Sequence, residues 1–149
     1  MAVHQETRRL GYSPQQLFEL ISEVEHYPEF LPLWREVRIS RTASLEKGKS
    51  TYYTDQTIQI GPFTKRFQTT TLLDPYCSIH ITSSDALFRQ FSINWLLSEE
   101  KNSSSNVNFS LNCVAASPLL RPIFDLALME SARSIVSTFE HRAKMLYGS

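Results

Sequence analysis

The sequence predicts an α+β fold in which an antiparallel β-sheet packs against one long C-terminal helix. Apolar residues recur at helical spacing near the N-terminus and again near the C-terminus, while short β-type runs separated by turns fill the middle of the chain. Because these strands follow one another without intervening helices, the order favours an α+β domain over an α/β domain of alternating elements.

The chain is expected to begin with a weakly marked strand and a short helix. Ser13, Pro14 and Gln16 have the form of a helix start, because they supply a capping hydroxyl, a proline that needs no amide donor, and a side chain that completes a capping box. Apolar side chains then recur at helical spacing as far as Val24. The pattern predicts an amphipathic helix over residues 14–24.

The next stretch, "HYPEFLPLW" at residues 26–34, sets aromatic and apolar side chains around two prolines. Pro28 and Pro32 interrupt regular backbone hydrogen bonding, so this segment, which we call the lid, is expected to bend. Two interpretations fit its composition. Its side chains either close the core beneath a loop or cover a mostly apolar cavity.

Residues 37–115 predict about six successive strands, which makes six or seven with the first one. Runs of Thr, Tyr, Phe, Ile and Val are separated there by turn-forming sequences such as "EKG", "GPF" and "DPY". Two of the strands alternate clearly, and their apolar faces are Phe91, Ile93, Trp95 and Leu97, and Val107, Phe109, Leu111 and Cys113. This alternation predicts an antiparallel meander with one buried face.

The last segment predicts a helix that Ser117 and Pro118 begin and that runs to about residue 146, a length of roughly 40 Å. Small residues lie in its middle, at Ala127, Ser131 and Ala132. A helix of this length is able to lie across the sheet. The small residues indicate either close packing against the sheet or a pocket beneath the helix.

Composition bounds the class of protein. With 149 residues, of which 42% are apolar, and no long linker, the chain has the size of a single domain over 1–149. Its formal net charge is zero and it has no block of like charges, so nucleic acid is an unpromising partner. Cys77 and Cys113 form no metal or redox motif, and no signal peptide or membrane-spanning run is recognisable. A cytoplasmic protein with reduced thiols is expected.

Catalytic and metal-binding patterns are missing from the sequence. It has no nucleophile elbow, phosphate loop or dinucleotide fingerprint, and its four histidines fall on separate predicted elements. We therefore expect neither an enzyme, nor a metal site, nor a resident cofactor. The basic pairs Arg8–Arg9 and Lys65–Arg66 lie on predicted strands, where neighbouring side chains alternate between the two faces. Two interpretations fit them: one member of a pair points inward and binds a polar head group, or the pair belongs to the solvent-exposed surface.

An ordered set of segments resembles a known family. "YSPQQLFELISEVEHYPEFLP", "REVRIS", "FQTTTLLDP", "NWLL" and "FEHRAKMLYG" are together similar to the coenzyme Q-binding START-like family, also called the RatA-type or polyketide cyclase/dehydrase-like group. The resemblance implies a helix-grip fold, as in birch-pollen-allergen-like proteins, with a curved sheet wrapped around the C-terminal helix and a hydrophobic cavity between them. Trp34 and Ile93 stand where the family often has Cys and Asn, which would narrow the cavity or make it more apolar.

The resemblance implies a non-enzymatic START-like domain that binds ubiquinone or a similar lipid and supports respiratory electron transport. Two alternatives remain: interference with ribosomal subunit association, as in a bacterial branch of the family, and a cyclase-like activity on an aromatic or polyketide-like substrate. Transient contact with the inner membrane would follow if Leu31, Leu33 and Trp34 turned outward.

The candidate ligand-binding residues come from the lid, the sheet and the final helix. Gln56 is included as a polar partner for a quinone ring, although an ordinary solvent-exposed position suits it equally well. The candidates are Tyr27, Phe30, Leu31, Pro32, Trp34, Tyr52, Gln56, Phe67, Ile93, Trp95, Phe124, Leu128, Ala132 and Ile135.

Overall fold

A computed structural model describes residues 1–148 and shows seven strands and two α-helices. A 3₁₀ helix, Val24–Glu29, follows the first α-helix, and 3₁₀ turns at Glu46–Gly48 and Lys101–Ser103 each join two strands. The elements in chain order are β1 (Ala2–Leu10), α1 (Pro14–Ser22), β2 (Trp34–Ser44), β3 (Ser50–Ile60), β4 (Phe63–Asp74), β5 (Ser78–Thr82), β6 (Phe88–Glu100), β7 (Ser104–Ala115) and α2 (Arg121–Tyr147).

The seven strands form one curved antiparallel sheet around α2, in the order β1-β7-β6-β5-β4-β3-β2. Successive strands pair from β2 to β7, and β1 closes the far edge by pairing with β7. The concave face carries the buried side chains of each strand, and α2 packs across that face. The predicted α+β helix-grip architecture is confirmed.

The two strands with the clearest alternation pair as predicted. Phe91 lies opposite Cys113, and the register then runs through the remaining apolar positions to Leu97 opposite Val107. All of these side chains are buried. Because residues directly opposite each other share a face, the register sets both apolar rows against α2.

The predicted start of α1 is confirmed, and its end lies slightly earlier than predicted. The Ser13 hydroxyl accepts from the Gln16 amide N–H at 3.1 Å, while the Gln16 side chain accepts from the Ser13 amide N–H at 3.0 Å. The helix ends at Ser22 because Glu23 has a non-helical ψ of 65°. Val24 instead begins the 3₁₀ helix, so the lid includes a regular turn around Pro28 before it becomes irregular.

The second helix begins later than predicted. The Ser117 hydroxyl accepts from the Leu120 N–H and the Ser117 carbonyl accepts from the Arg121 N–H, which closes a turn. The helix α2 itself begins at Arg121. Pro122 occupies the first turn of α2, where a missing N–H is not needed. No helix within residues 1–148 combines the length and the apolarity that crossing a bilayer requires.

Candidate functional site

The concave sheet and the middle of α2 enclose a small apolar void of about 20 Å³. This is room for about one water molecule. Among the side chains that line it, only those of Ser131 and Trp34 carry a polar atom. The residues that line it are Trp34, Ile58, Phe67, Phe88, Phe91, Ile93, Phe109, Leu111, Leu128, Ser131, Ala132 and Ile135.

Three phenylalanines from the sheet line the void beneath the middle of α2. The ring centroids of Phe67 and Phe88 are 5.0 Å apart, those of Phe88 and Phe91 are 4.8 Å apart, and those of Phe67 and Phe91 are 5.7 Å apart. Such separations are typical of favourable tilted and edge-to-face pairs. The three rings therefore pack against one another, and the short side chains of Ser131 and Ala132 on the helix line the same void.

Trp34 ties the lid to a buried polar group behind the void. Its indole N–H donates to the Gln56 side-chain oxygen at 2.8 Å, and the Gln56 amide donates to Thr54 at 3.0 Å and to Thr69 at 3.3 Å. Gln56 and its two threonine partners are all buried. Gln56 thus faces inward, as the binding interpretation required, but its amide hydrogens are already bonded within the protein.

A surface groove of about 240 Å³ adjoins the void between the lid and α2. Ser131 and Ile135 line both spaces, so these two side chains form the partition between them. The remaining groove residues come from the lid and from the outer side of the helix, and they are Leu31, Pro32, Leu33, Ala127, Glu130, Ser134 and Thr138.

The other end of the lid is fastened to α2. Phe139 meets the rings of Tyr27 at 5.5 Å and Phe30 at 5.2 Å. The Arg142 guanidinium lies 5.0 Å from the centre of the Phe30 ring and donates to Glu29 at 3.0 Å. Hydrogen bonds from His26 and Arg142 lower the pKa of the Glu29 carboxyl from its usual value.

The lining of the void is apolar. No titratable side chain is among the residues that line it, and residues 1–148 contain no group of three or more side chains placed to hold a metal ion. Burial raises the pKa of Tyr27 well above its ordinary value and that of the Cys113 thiol to about 12, so both stay neutral near neutral pH. The lining is able to enclose hydrocarbon but offers no acid or base.

A family model described as polyketide cyclase / dehydrase and lipid transport matches residues 10–140. The chain belongs to this family. The ribosome association toxin RatA of Pseudomonas aeruginosa is 30% identical over 149 residues, which cover 99% of this chain and 100% of RatA.

Solved structures agree on the fold. The solution structure of the 18 kDa protein CC1736 from Caulobacter crescentus superposes with a TM-score of 0.77 at 25% identity, over 100% of both chains. A START superfamily protein from Mycobacterium smegmatis gives 0.77 at 16% identity, over 98% of this chain and 99% of that one. The chain is therefore a RatA-type, START-like member of the polyketide cyclase and lipid transport family.

In this START-like chain, some predicted site residues lie at the void or groove and others lie behind them. Those that line the void are Trp34, Phe67, Ile93, Leu128, Ala132 and Ile135, and those that line only the groove are Leu31 and Pro32. The residues that line neither are Tyr27, Phe30, Tyr52, Gln56, Trp95 and Phe124.

The candidates that miss the void have structural partners elsewhere. The Tyr52 hydroxyl donates to the Ser22 carbonyl at 2.9 Å and so holds the end of α1. Trp95 packs 5.2 Å from Phe139, beneath the C-terminal half of α2, and Phe124 is fully buried nearer its start. The sequence pattern correctly marked these residues as buried, but it does not show how far along α2 each of them lies.

Six residues that line the void were not among the candidates. Phe91, Phe109 and Leu111 were predicted to face inward, so extending the candidate set along the same alternation would have found them. Phe88 was hidden, because an irregularity in the β6–β7 register between Phe88 and Gln90 breaks the alternation there. Ser131 was noted only as a small residue of the final helix, and Ile58 continues the buried face that Tyr52 and Gln56 share on β3.

Proposed function

We propose that the protein binds a hydrophobic small molecule, ubiquinone or a similar lipid, between the concave sheet and α2, and carries it without transforming it. The observation that carries this proposal is the almost wholly hydrocarbon lining of the void beside an accessible groove. Ligand pockets are typically concave and apolar with few polar groups. The family description, which includes lipid transport, supports the same function class.

Because the void is small, a ligand can enter it only if the protein opens at the same time. A pocket for an ordinary ligand occupies some hundreds of Å³, whereas the void measures about 20 Å³. The groove supplies about 240 Å³ directly beside it, behind the partition of Ser131 and Ile135. A ligand entering from the groove would displace residues 31–33 outward and turn the phenylalanine rings aside. Burial of its tail, at roughly 25 cal/mol per Å², would offset the cost of that movement.

The polar end of the ligand would find few partners. The amide hydrogens of Gln56 are bonded to Thr54 and Thr69, so Gln56 offers only its oxygen. Ser131 has the one hydroxyl at the boundary between groove and void. We therefore expect the ligand to be held mainly by its hydrocarbon part, with a carbonyl or hydroxyl of the head near Ser131.

The proposal is tested by blocking the partition. Ser131→Phe would fill the junction with a ring, while Arg133→Phe places the same ring on an exposed position of the same helix and serves as the matched control. Native mass spectrometry and solvent extraction of freshly purified protein should find a lipid in the parent and in Arg133→Phe, and much less in Ser131→Phe. Equal lipid content in both variants, or none in the parent after incubation with ubiquinone, would contradict the proposal.

Association with the ribosome is a second candidate function. Its support is the name of a relative that aligns over 99% of this chain. It needs an exposed contact surface rather than an interior space. Sedimentation of the purified protein with ribosomal subunits at physiological salt tests it, and co-migration that survives Ser131→Phe would assign the activity to the surface.

A further inference from the structure

Three polar side chains of the groove form one row along α2. Glu130, Ser134 and Thr138 follow one another at steps of four residues, which sets them on one side of the helix. All three line the groove. Ser131 and Ile135, each next in sequence to a member of the row, form the partition toward the void. A ligand whose tail passes the partition would hold its head group against this row.

Two side chains of the row already donate their hydrogen elsewhere. The Ser134 hydroxyl donates to the Ser131 carbonyl at 3.1 Å, and the Thr138 hydroxyl donates to the Ser134 carbonyl at 2.9 Å. Both acceptors belong to the backbone of α2, so the hydroxyl oxygens keep lone pairs for the groove. The Glu130 carboxylate has only acceptor oxygens. In this arrangement the row accepts hydrogen bonds and offers none.

No cation within residues 1–148 pairs with Glu130. Its carboxylate takes part in no salt bridge, and Arg133, three residues further along α2, forms none with it. The half-buried members of the two basic pairs lie elsewhere, because Arg8 donates to Glu140 at 2.7 Å and Lys65 lines neither the void nor the groove. The charge at the groove is therefore negative.

The opposite wall of the groove adds no polar side chain. It consists of Leu31, Pro32 and Leu33 from the lid. Leu31 and Trp34 are buried and Leu33 is half-buried, so the outward-turned lid that membrane contact would require is not the arrangement found. Among the described side chains that line the groove, only Ser131 still has a hydrogen to donate.

The buried polar group behind the void has the same character. The indole N–H of Trp34 can only donate, so its bond to Gln56 fixes which atom of that amide is the oxygen. Both amide hydrogens of Gln56 then go to Thr54 and Thr69. A head group that reached this depth would again meet an acceptor.

We propose that the site selects an amphiphile whose head group donates hydrogen bonds, a hydroxyl or an ammonium, over one whose head group only accepts them. The inference rests on the proposed function and deepens it, because it names the head group that the carrier takes. A hydroquinone donates through two hydroxyls, whereas the carbonyl and ether oxygens of a quinone would face the lone pairs of the row. The reduced form of a ubiquinone-like lipid is therefore preferred over the oxidised form, and an anionic head suits the site least.

Probes that share one decyl chain test this preference. Decyl alcohol, decylammonium, methyl decyl ketone and undecanoate are titrated into the full chain below the concentration at which each probe aggregates. Short-chain ubiquinol is compared with ubiquinone under anaerobic conditions. Calorimetry gives each dissociation constant, and the NMR methyl signals of Leu128 and Ile135, which line the void, report whether the tail has entered it.

The alcohol should bind about fivefold more tightly than the ketone, and ubiquinol about fivefold more tightly than ubiquinone. Decylammonium should bind at least about tenfold more tightly than undecanoate, because only its charge is opposite to that of Glu130.

Reversing one charge separates the groove from the rest of the surface. Glu130→Lys should reverse the order of decylammonium and undecanoate and leave the alcohol within about threefold, since the void is untouched. Glu46→Lys makes the same change at an exposed position in the turn between β2 and β3, and it should keep the order of the parent. Circular dichroism confirms that both variants fold.

Three results would overturn the inference. The ketone or ubiquinone could bind as tightly as the alcohol or ubiquinol, Glu130→Lys could leave the order of the charged probes unchanged, or Glu46→Lys could reverse it equally well. Failure of the proposed function looks different. If no probe shifted the signals of Leu128 and Ile135, the carrier function and the inference would fail together, whereas binding without a head-group preference would defeat the inference alone.

Discussion

The two halves of α2 lie on the same concave sheet but meet it in different ways. In the C-terminal half, Phe139 packs 5.5 Å, 5.2 Å and 5.2 Å from the rings of Tyr27, Phe30 and Trp95, and Ala143 is fully buried. In the middle and N-terminal half, short side chains leave the void, the groove and an exposed apolar surface.

The difference shows how one helix on one sheet supports both a packed core and an unfilled space. Where the helix supplies a large ring, the lid is fastened and the interior is filled. Where it supplies Ser131 and Ala132, the facing phenylalanines of the sheet leave a small void. Stability is therefore expected to depend on the C-terminal half of α2, and binding on its middle and N-terminal half.

The largest effect is expected from Phe139→Ala. The change removes a fully buried ring that joins the lid, α2 and the sheet, so it should lower the free energy of unfolding by about 3–5 kcal/mol. Urea denaturation followed by circular dichroism measures the loss. A change below about 1 kcal/mol would mean that the C-terminal half is not the rigid part of the molecule.

Enlarging a small residue in each half compares them directly. Ala143→Leu should lower the free energy of unfolding by about 1–3 kcal/mol, because its site is fully packed. Ser131→Leu should change it by less than about 1 kcal/mol, since the void and groove beside it take up the added atoms. Equal losses in the same urea experiment would remove the distinction between the two halves.

Trp34→Phe, in the wall of the void, is expected to have an intermediate effect on stability. The change leaves the buried Gln56 oxygen without the indole N–H, which should cost about 1–3 kcal/mol of stability. Adding Gln56→Leu should recover part of this loss, because it removes the unpaired oxygen while Thr54 and Thr69 keep each other as partners. Thermal denaturation of the double-mutant cycle measures this coupling, and strictly additive losses would contradict it.

The smallest effect on stability is expected from lowering the pH, which acts where Glu29 holds the lid to α2. The Glu29 pKa is lowered in the folded protein, so the stabilisation from its contacts with His26 and Arg142 is present above the ordinary carboxyl pKa of 4.5 and is lost as pH falls through the lower folded value. NMR titration should place the Glu29 pKa below 4.5 in the parent. Arg142→Gln should raise the Glu29 pKa, and an unchanged value would show that the ion pair does not form in solution.

Much of the fold followed from local rules in the sequence. Strict alternation on β6 and β7 predicted their inward faces, and the capping box at Ser13 predicted the start of α1. The start of α2 was misplaced because Ser117 and Pro118 have the same form as Ser13 and Pro14, yet Ser117 caps a turn that Pro122 follows. A capping signal alone does not decide between a turn and a helix.

The site was harder to predict than the fold. Alternation identifies which residues face inward, but the position of a void depends on which rings meet across the sheet and how they tilt. The size of the void could not be predicted, because Phe88 reaches it through an irregularity that the sequence does not mark.

The most direct test of the central claim is an NMR titration of the methyl-labelled protein with short-chain ubiquinone. Binding beneath the middle of α2 should shift the methyl signals of Leu128, Ala132 and Ile135, which line the void, and leave that of Ala143 in the packed half unchanged. Signals that stay in place at saturating ligand, or that shift only at Ala143, would contradict the account.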